Sequence, residues 1–191
     1  MQSHFRKYSA RLGEVLDGFD WSPVEEFAKD LYSCWQEKRR VFICGNGGSA
    51  ANAVHIANDF NYGISKKLGD GMRMHAIPAN VSVLTCLAND EGYEHVFSHQ
   101  LAVEANPGDL LLVLSGSGNS ENVLRALDVA KQADVKSYAI LGYSGGKALK
   151  MADVPIHFQI DDMQISEDLQ MIVMHMLMQK LYKINKDGER V

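Results

Sequence analysis

From Val41 onward the chain alternates short apolar runs with helical patterns, and that alternation leaves few folds open. Apolar runs near 41–44, 73–77, 110–115, 137–142 and 154–158 are separated by helical stretches near 49–61, 81–104 and 120–133. Runs this short and apolar read as strands covered on both faces, and a repeated strand–helix–strand pattern packs back on itself as right-handed βαβ units. The expectation is therefore an α/β fold: a doubly wound, mainly parallel five-stranded sheet flanked by helices. The 81–104 stretch contains Asp90-Glu91-Gly92 and reads as two helices broken there, and Asn106-Pro107-Gly108-Asp109 is a turn into the central strand.

Two helices precede the sheet. Phe5, Tyr8, Leu12, Val15, Leu16 and Phe19 share one helical face. Ser22-Pro23-Val24-Glu25 then supplies a capping hydroxyl, a proline at the first helical position and a Glu three residues after the cap, so a second helix should run to about Lys38. With 191 residues, 46% of them hydrophobic, and no obvious linker, the chain reads as one domain over 1–191: an N-terminal helical hairpin over 1–38 and an α/β core over 40–191. The last helix, from about Ser166 as N-cap to Lys183, is apolar over most of its circumference, which calls for cover on more than one side. In a chain this small, one covering surface is expected to be another subunit.

The turns after two of the strands carry the first chemical signal. Leu112-Val113-Leu114 leads into Ser115-Gly116-Ser117-Gly118-Asn119-Ser120 and then into a helix. A helix N-terminus has unpaired N–H donors and a partial positive charge, so a small-residue turn there suits a phosphate or another anion. Alone, it reads equally well as an ordinary Ser/Gly turn with Ser120 as N-cap. A second turn of the same design, Cys44-Gly45-Asn46-Gly47-Gly48-Ser49-Ala50, favours one anionic ligand held between the two. Gly45-x-Gly47-x-x-Ala50 is also a loose dinucleotide fingerprint, but the next strand ends in Pro78-Ala79-Asn80 without the acid that would hold a ribose.

Ionisable side chains cluster on the neighbouring helices. His55 and Asp59 are one turn apart after the first glycine turn, and Glu167 and His175 lie about 80° apart around the last helix. Imidazole and carboxylate serve both proton transfer beside a carbonyl and divalent-metal binding. Each has a plainer role: His55 and Asp59 as surface residues, Glu167 and Asp168 as acids at the positive end of a helix. His175 is the one ionisable group between Met171 and Met178, and burial there would demand a polar partner. These considerations predict that His55, Asp59, Glu167 and His175 converge on one site across a subunit boundary. His95 and His99, with Glu94 beside them, read as an exposed helix face, and Tyr143-Ser144-Gly145-Gly146-Lys147 as a loop with a solvated lysine.

Composition narrows the partners. A formal net charge of −5 and no basic run longer than Lys38-Arg39-Arg40 argue against nucleic acid. Cys34, Cys44 and Cys86 cannot all pair and read as reduced core residues of a cytoplasmic protein, with no signal-peptide core and no apolar stretch of membrane-spanning length.

Taken together, the leading helices, Cys44 through Ala50, His55, Asn89-Asp90, Ser115 through Ser120, Gly145-Gly146-Lys147 and the closing helix with His175 resemble the sugar isomerase (SIS) domain family. Within it the likeness is to the phosphoheptose isomerases, which interconvert sedoheptulose 7-phosphate and a heptose 7-phosphate. The resemblance implies that Asn46, Gly47, Ser49, Asn89, Asp90, Ser115, Gly116, Ser117, Ser120 and Glu167 bind the sugar phosphate. It implies Asp59 as the base that forms an enediol and His175 as the group that carries or returns a proton. It also implies a zinc at His55, Asp59, Glu167 and His175, and a homotetramer with sites at its interfaces.

The chain departs from the family pattern at four places: Asp59 stands for Glu, Glu167 for Gln, Gly63 for Arg and Gly116 for Thr. Asp is one methylene shorter than Glu, so a base at Asp59 requires a moved backbone or another substrate pose. The family also implies two alternatives: a non-catalytic sugar-phosphate-binding regulator or scaffold, and an isomerase of another sugar phosphate.

Overall fold

The computed structural model describes residues 2–187. In chain order its elements are α1 (Gln2–Asp17), α2 (Ser22–Gln36), β1 (Arg40–Gly45), α3 (Gly48–Asn58), β2 (Arg73–Ala76), α4 (Val81–Asp90), α5 (Ser98–Glu104), β3 (Leu110–Ser115), α6 (Glu121–Gln132), β4 (Lys136–Leu141), α7 (Ala148–Met151), β5 (Val154–His157) and α8 (Met163–Asp187). A π-helical turn, Asp59–Gly63, follows α3, and short 3-10 turns cover Ile77–Ala79 and Tyr93–His95. The sheet order is β2-β1-β3-β4-β5 and every neighbouring pair is parallel. The chain therefore reverses its winding between β1 and β3, and in open α/β sheets the crevice beyond the strand ends at such a switch is where ligands bind.

Alternation along the strands builds a core on each face. Val41, Ile43, Leu110, Leu112, Leu114, Tyr138, Ile140 and Ile156 join residues of α2, α3 and α8 on one side. Phe42, Cys44, Leu111, Val113, Ala139 and Leu141 join α5, α6 and α7 on the other. Successive side chains of a strand point to opposite faces, so uninterrupted apolar runs are what a sheet covered on both sides requires. The break expected near residue 90 is present between α4 and α5.

Two helix starts differ from the sequence expectation, and at each a nearby aspartate takes a helical amide. Ser22 lies inside α2, and Asp20 accepts from its amide and its hydroxyl at 3.0 and 2.8 Å. Ser166 is not an N-cap, because α8 begins at Met163. Asp162 Oδ1 accepts from Ile165 N at 3.1 Å, while the Ser166 hydroxyl donates back to Asp162 O at 2.7 Å. At α8 the carboxylate stands at the N-cap itself and satisfies an orphan helical amide; at α2 the N-cap is Trp21, whose side chain makes no cap bond, and Asp20 just before it takes the Ser22 amide. Tyr143–Lys147 is a loop, as expected, and a short helix, α7, follows it at Ala148–Met151.

α8 buries Ile165, Leu169, Val173, Met174, Leu177, Leu181 and Ile184 but leaves Met176 at 45% exposure. On the opposite face of the sheet, α4 buries none of its side chains, and Val81 and Val83 stand in solvent. Among the described residues no helix is long and apolar enough to cross a membrane. Cys34 and Cys44 are buried, with burial pushing each thiol up to about 12, whereas Cys86, expected in the core with them, is exposed because α4 buries none of its side chains.

Candidate active site

The turn after β3 is organised by its own serines. Ser115 Oγ accepts from Gly118 N at 3.0 Å and Ser117 Oγ accepts from Asn119 N at 3.3 Å, which leaves both hydroxyl protons to donate elsewhere. Ser120 precedes α6 but makes no side-chain cap bond, so the plain capping role is not taken up and its hydroxyl is also free. Among the described hydrogen bonds none uses the amides of Ser117, Ser120, Glu121 or Asn122. Three hydroxyls and a set of unpaired N–H groups at a helix start form a donor-lined cradle, the kind of surface that suits an anion.

One glycine of this turn, Gly118, is required by a third loop packed against it. Gly118 has φ +64°, and a Cβ there would lie 2.0 Å from Gly145 O. Ala148 N donates to Gly118 O at 3.0 Å and Lys147 N to Asn119 Oδ1 at 3.1 Å, so the Tyr143–Lys147 segment braces the cradle through its backbone. The Lys147 side chain is exposed, as the sequence reading had it.

The turn after β1 opens α3 at Gly48, with Gly47 at φ +55° as N-cap. Ser49 is 4% exposed and accepts from Gln170 Nε2 at 3.0 Å; Asn52 Nδ2 donates to Gln170 Oε1 at 2.9 Å and to Glu167 O at 3.1 Å. These bonds clamp α3 to α8 and make Ser49 part of the brace. Asn46 is held by Asn122 and Tyr93.

Seven residues into α3, His55 meets α8. His55 Nε2 lies 3.3 Å from His175 Nε2 and 3.3 Å from Asp59 Oδ2, and His175 Nε2 lies 3.4 Å from the same oxygen. The three donor atoms fall within 4.8 Å of one another. Asp59 is set in place where the helix widens: Ile64 N donates to Asp59 O at 2.8 Å, a five-residue spacing, and the π turn carries Asn61 to the free edge of β2. There Asn61 Nδ2 donates to Met74 O at 2.7 Å and its Oδ1 accepts from Met74 N at 2.9 Å. The amide thus pairs with the edge as a further strand would.

Three expectations are corrected. The histidine–aspartate group closes within one chain and needs no subunit boundary, because α3 and α8 pack side by side. His175 is not buried: its side chain is 47% exposed. Val173, Met174 and Leu177 take the core-facing positions of α8, and residue 175 falls on the other side, toward α3. Glu167 does not join the cluster, because its carboxylate lies over Gly48, where a Cβ would sit 2.4 Å from Oε1 and Oε2.

The other candidate residues lie as follows. Asn89 and Asp90 are exposed at the end of α4, with Asn89 Nδ2 donating to Asp90 Oδ1 at 2.8 Å. That bond and one from the Cys86 thiol hold the Asp90 carboxyl below its ordinary value. Gly116 is buried against Met163 and Ser166 of α8. His95 is half-buried rather than exposed, with Nε2 2.8 Å from Arg125 Nη1, and so joins α6 instead of offering a free histidine pair with His99.

This arrangement has close counterparts. Residues 4–142 match the SIS domain family. The chain belongs to that family. A phosphoheptose isomerase of Trichlorobacter lovleyi is 35% identical over 179 residues, covering 93% of this chain and 87% of its own length. One of Helicobacter pylori is 30% identical over 179 residues, covering 93% and 91%. Among solved structures, a phosphoheptose isomerase from Francisella tularensis superposes with a TM-score of 0.87 at 25% identity over 95% of this chain and 96% of that one. One from Neisseria gonorrhoeae gives 0.86 at 29% identity over 94% and 95%.

As a SIS domain, the chain carries its two glycine-rich turns at the β1/β3 switch and its ionisable cluster where the helix leaving the first turn meets α8. Two imidazoles and one carboxylate are a donor set that zinc accepts with a fourth position left open, so the residues present fit such an ion. Asn52, Gln170, Asn61, Asn119, Asn122 and Tyr93 were not singled out from sequence. All act through contacts between distant positions, and only Asn119 and Asn122 had a local sign, by standing in or beside the Ser/Gly turn.

Proposed function

We propose that this chain is an aldose–ketose isomerase of sugar phosphates that interconverts sedoheptulose 7-phosphate and a heptose 7-phosphate through an enediol. The observation that carries this reading is the pairing of two amide-rich turns at the β1/β3 switch with the His55–Asp59–His175 cluster on the helix that leaves one of them. The relatives named phosphoheptose isomerase, similar over most of their length, support the same activity.

In this reading the phosphate sits in the Ser115–Ser120 cradle, where free amides and the hydroxyls of Ser115, Ser117 and Ser120 match its oxygens. Asn46, Gly47, Ser49, Asn89, Asp90 and Gly116 shape the sugar pocket, Ser49 from the buried brace. Binding at the cradle fixes the sugar so that the carbon beside the carbonyl faces the cluster. Asp59 takes the proton from that carbon to leave the enediol, and His175 supplies and recovers the proton exchanged at the oxygen. Collapse with the proton returned to the neighbouring carbon completes the isomerisation.

His55, Asp59 and His175 would hold zinc, which when bound polarises sugar oxygens and draws charge away from the developing enediolate. Glu167, placed over the first turn, then acts on the sugar side and not as a ligand.

The His55 and His175 side chains are 53% and 47% exposed, and enediol chemistry requires walls that keep water from the intermediate. A homotetramer of single-domain chains, each with its 1–38 hairpin on a 40–191 core, supplies them. The uncovered apolar side chains of α4 and Met176 of α8 are surfaces such an assembly would bury. The protein is placed in the cytoplasm, where its thiols stay reduced. Incubation with a panel of ketose phosphates, with and without zinc, followed by NMR, is the test. Aldose formed from sedoheptulose 7-phosphate alone or best supports the reading; no turnover of any ketose phosphate under either condition refutes it.

A further inference from the structure

Asn46 in the first turn and Asn122 in the first turn of α6 face each other across the mouth of the crevice. Asn46 Nδ2 donates to Asn122 Oδ1 and Asn122 Nδ2 donates back to Asn46 Oδ1, each at 2.9 Å. Tyr93, on the 3-10 turn between α4 and α5, donates its hydroxyl to the same Asn46 Oδ1 at 2.9 Å. Asn122 is 2% exposed. Burying an amide in a helix start is costly unless it is bonded, and here both its polar atoms are bonded to one residue of the opposite turn.

Counting donors and acceptors shows what the contact achieves. Asn46 Oδ1 accepts two hydrogen bonds, filling its lone pairs, and Nδ2 gives one proton to Asn122. One Asn46 N–H is left over, on an amide whose plane and direction are held from two sides. Because Asn122 belongs to the helix that closes the phosphate cradle, the pair also fixes the separation of the two turns.

We propose that Asn122 and Tyr93 are positioning residues for the sugar phosphate: they lock the Asn46 amide so that its remaining N–H meets an oxygen of the ligand, and they hold the two turns at the spacing one ligand bridges. The proposal rests on the sugar-phosphate reading of the turns. Neither residue reaches the reacting carbons in this account; both act through Asn46.

The test is a double-mutant cycle read by calorimetry, with sedoheptulose 7-phosphate and inorganic phosphate as probes, and by steady-state kinetics. Tyr93 is 52% exposed, so Tyr93→Phe removes the hydroxyl without opening a cavity. Loss of one neutral hydrogen bond corresponds to about a two- to tenfold change in an equilibrium constant. Tyr93→Phe should therefore raise Kd and KM for the sugar phosphate about two- to tenfold, with kcat and melting temperature unchanged. In an Asn46→Ala background the same change should have no further effect, because the group it orients is gone. Asn122→Ala should raise KM more than Tyr93→Phe does and should likewise be silent beside Asn46→Ala. An equal loss in both backgrounds, an altered kcat with KM fixed, or no loss from Tyr93→Phe in an otherwise native chain that binds the probes overturns the positioning role alone. A native protein that binds neither probe overturns the sugar-phosphate reading and this proposal with it.

Discussion

His55 and His175 stand 120 positions apart in the chain and bring their Nε2 atoms to 3.3 Å of each other. Asp59 Oδ2 lies within 3.4 Å of both, so lone pairs of three groups converge on one point. Such a convergence is stable when a proton or a cation occupies it. Zinc is expected to bind there with proton release, since both imidazoles must be neutral to donate. Because protons and the metal compete for the same lone pairs, affinity should fall as the solution is acidified. His175→Ala should abolish both zinc binding and isomerisation. Calorimetry across pH in two buffers of different ionisation enthalpy measures the released protons; zinc affinity that is flat from pH 8 to 5 counts against the site.

Glu167 separates the structure from the sequence expectation. Its carboxylate lies over Gly48, outside the three-residue cluster, and Glu167→Gln should leave zinc affinity within about threefold of the native value. The same change removes a negative charge from the start of α3, where the first anion turn lies, so sugar-phosphate KM should fall, and fall less at high salt. A zinc affinity reduced as severely as by His175→Ala would return Glu167 to the metal site.

Ser117 and Ser120 offer hydroxyl protons that no described protein group takes. A hydrogen bond to a charged ligand is worth about 1.5–3 kcal/mol, so Ser117→Ala with Ser120→Ala should weaken sugar-phosphate binding by at least about a hundredfold. Both residues are at least partly exposed and neither caps α6 through its side chain, so the melting temperature should hold. Unchanged affinity by calorimetry would remove the cradle from the phosphate site.

Light scattering at micromolar concentration should give the mass of four chains. Val81 and Val83 of α4 at 68% and 36% exposure, with Met176 of α8 at 45%, are apolar surface that a lone chain leaves in water. A monomer mass refutes the assembly, and a dimer mass keeps an interface while removing the tetramer.

Much of this was legible in residue order because it is periodic. Buried parallel strands and amphipathic helices announce themselves through spacing, and His55 and Asp59 pair at one helical turn. What was not legible depends on competition or on topology. Asp162 outcompetes Ser166 as a cap, and α2 starts from Trp21 with Asp20 holding the Ser22 amide, although hydroxyl and carboxylate look equally suitable in the sequence. His175 looked buried because apolar residues surround it in order, yet the helix rotation turns Val173, Met174 and Leu177 inward and His175 outward. Asn46, Tyr93 and Asn122 meet because β1 lies beside β3, a neighbour relation that no local window contains.

The π turn supplies the last prediction. Asn61 makes two hydrogen bonds to the backbone of Met74, whose side chain is 4% exposed, and these anchor the turn that begins at Asp59. Asn61→Ala removes both while leaving the α3 core contacts in place, at an expected cost of about 1–2 kcal/mol and a melting temperature lower by roughly 2–8 °C. With its anchor gone, the widened turn can relax toward a regular helix, which rotates the residues after Asp59 and frees the aspartate from its position between the two histidines. Zinc affinity should therefore fall severalfold although no ligand has been changed, and Asn61→Asp should recover only the acceptor half of the contact. A variant that melts early but keeps native zinc affinity would confine Asn61 to stability. One that keeps both would show that the π turn holds Asp59 without its tether to β2.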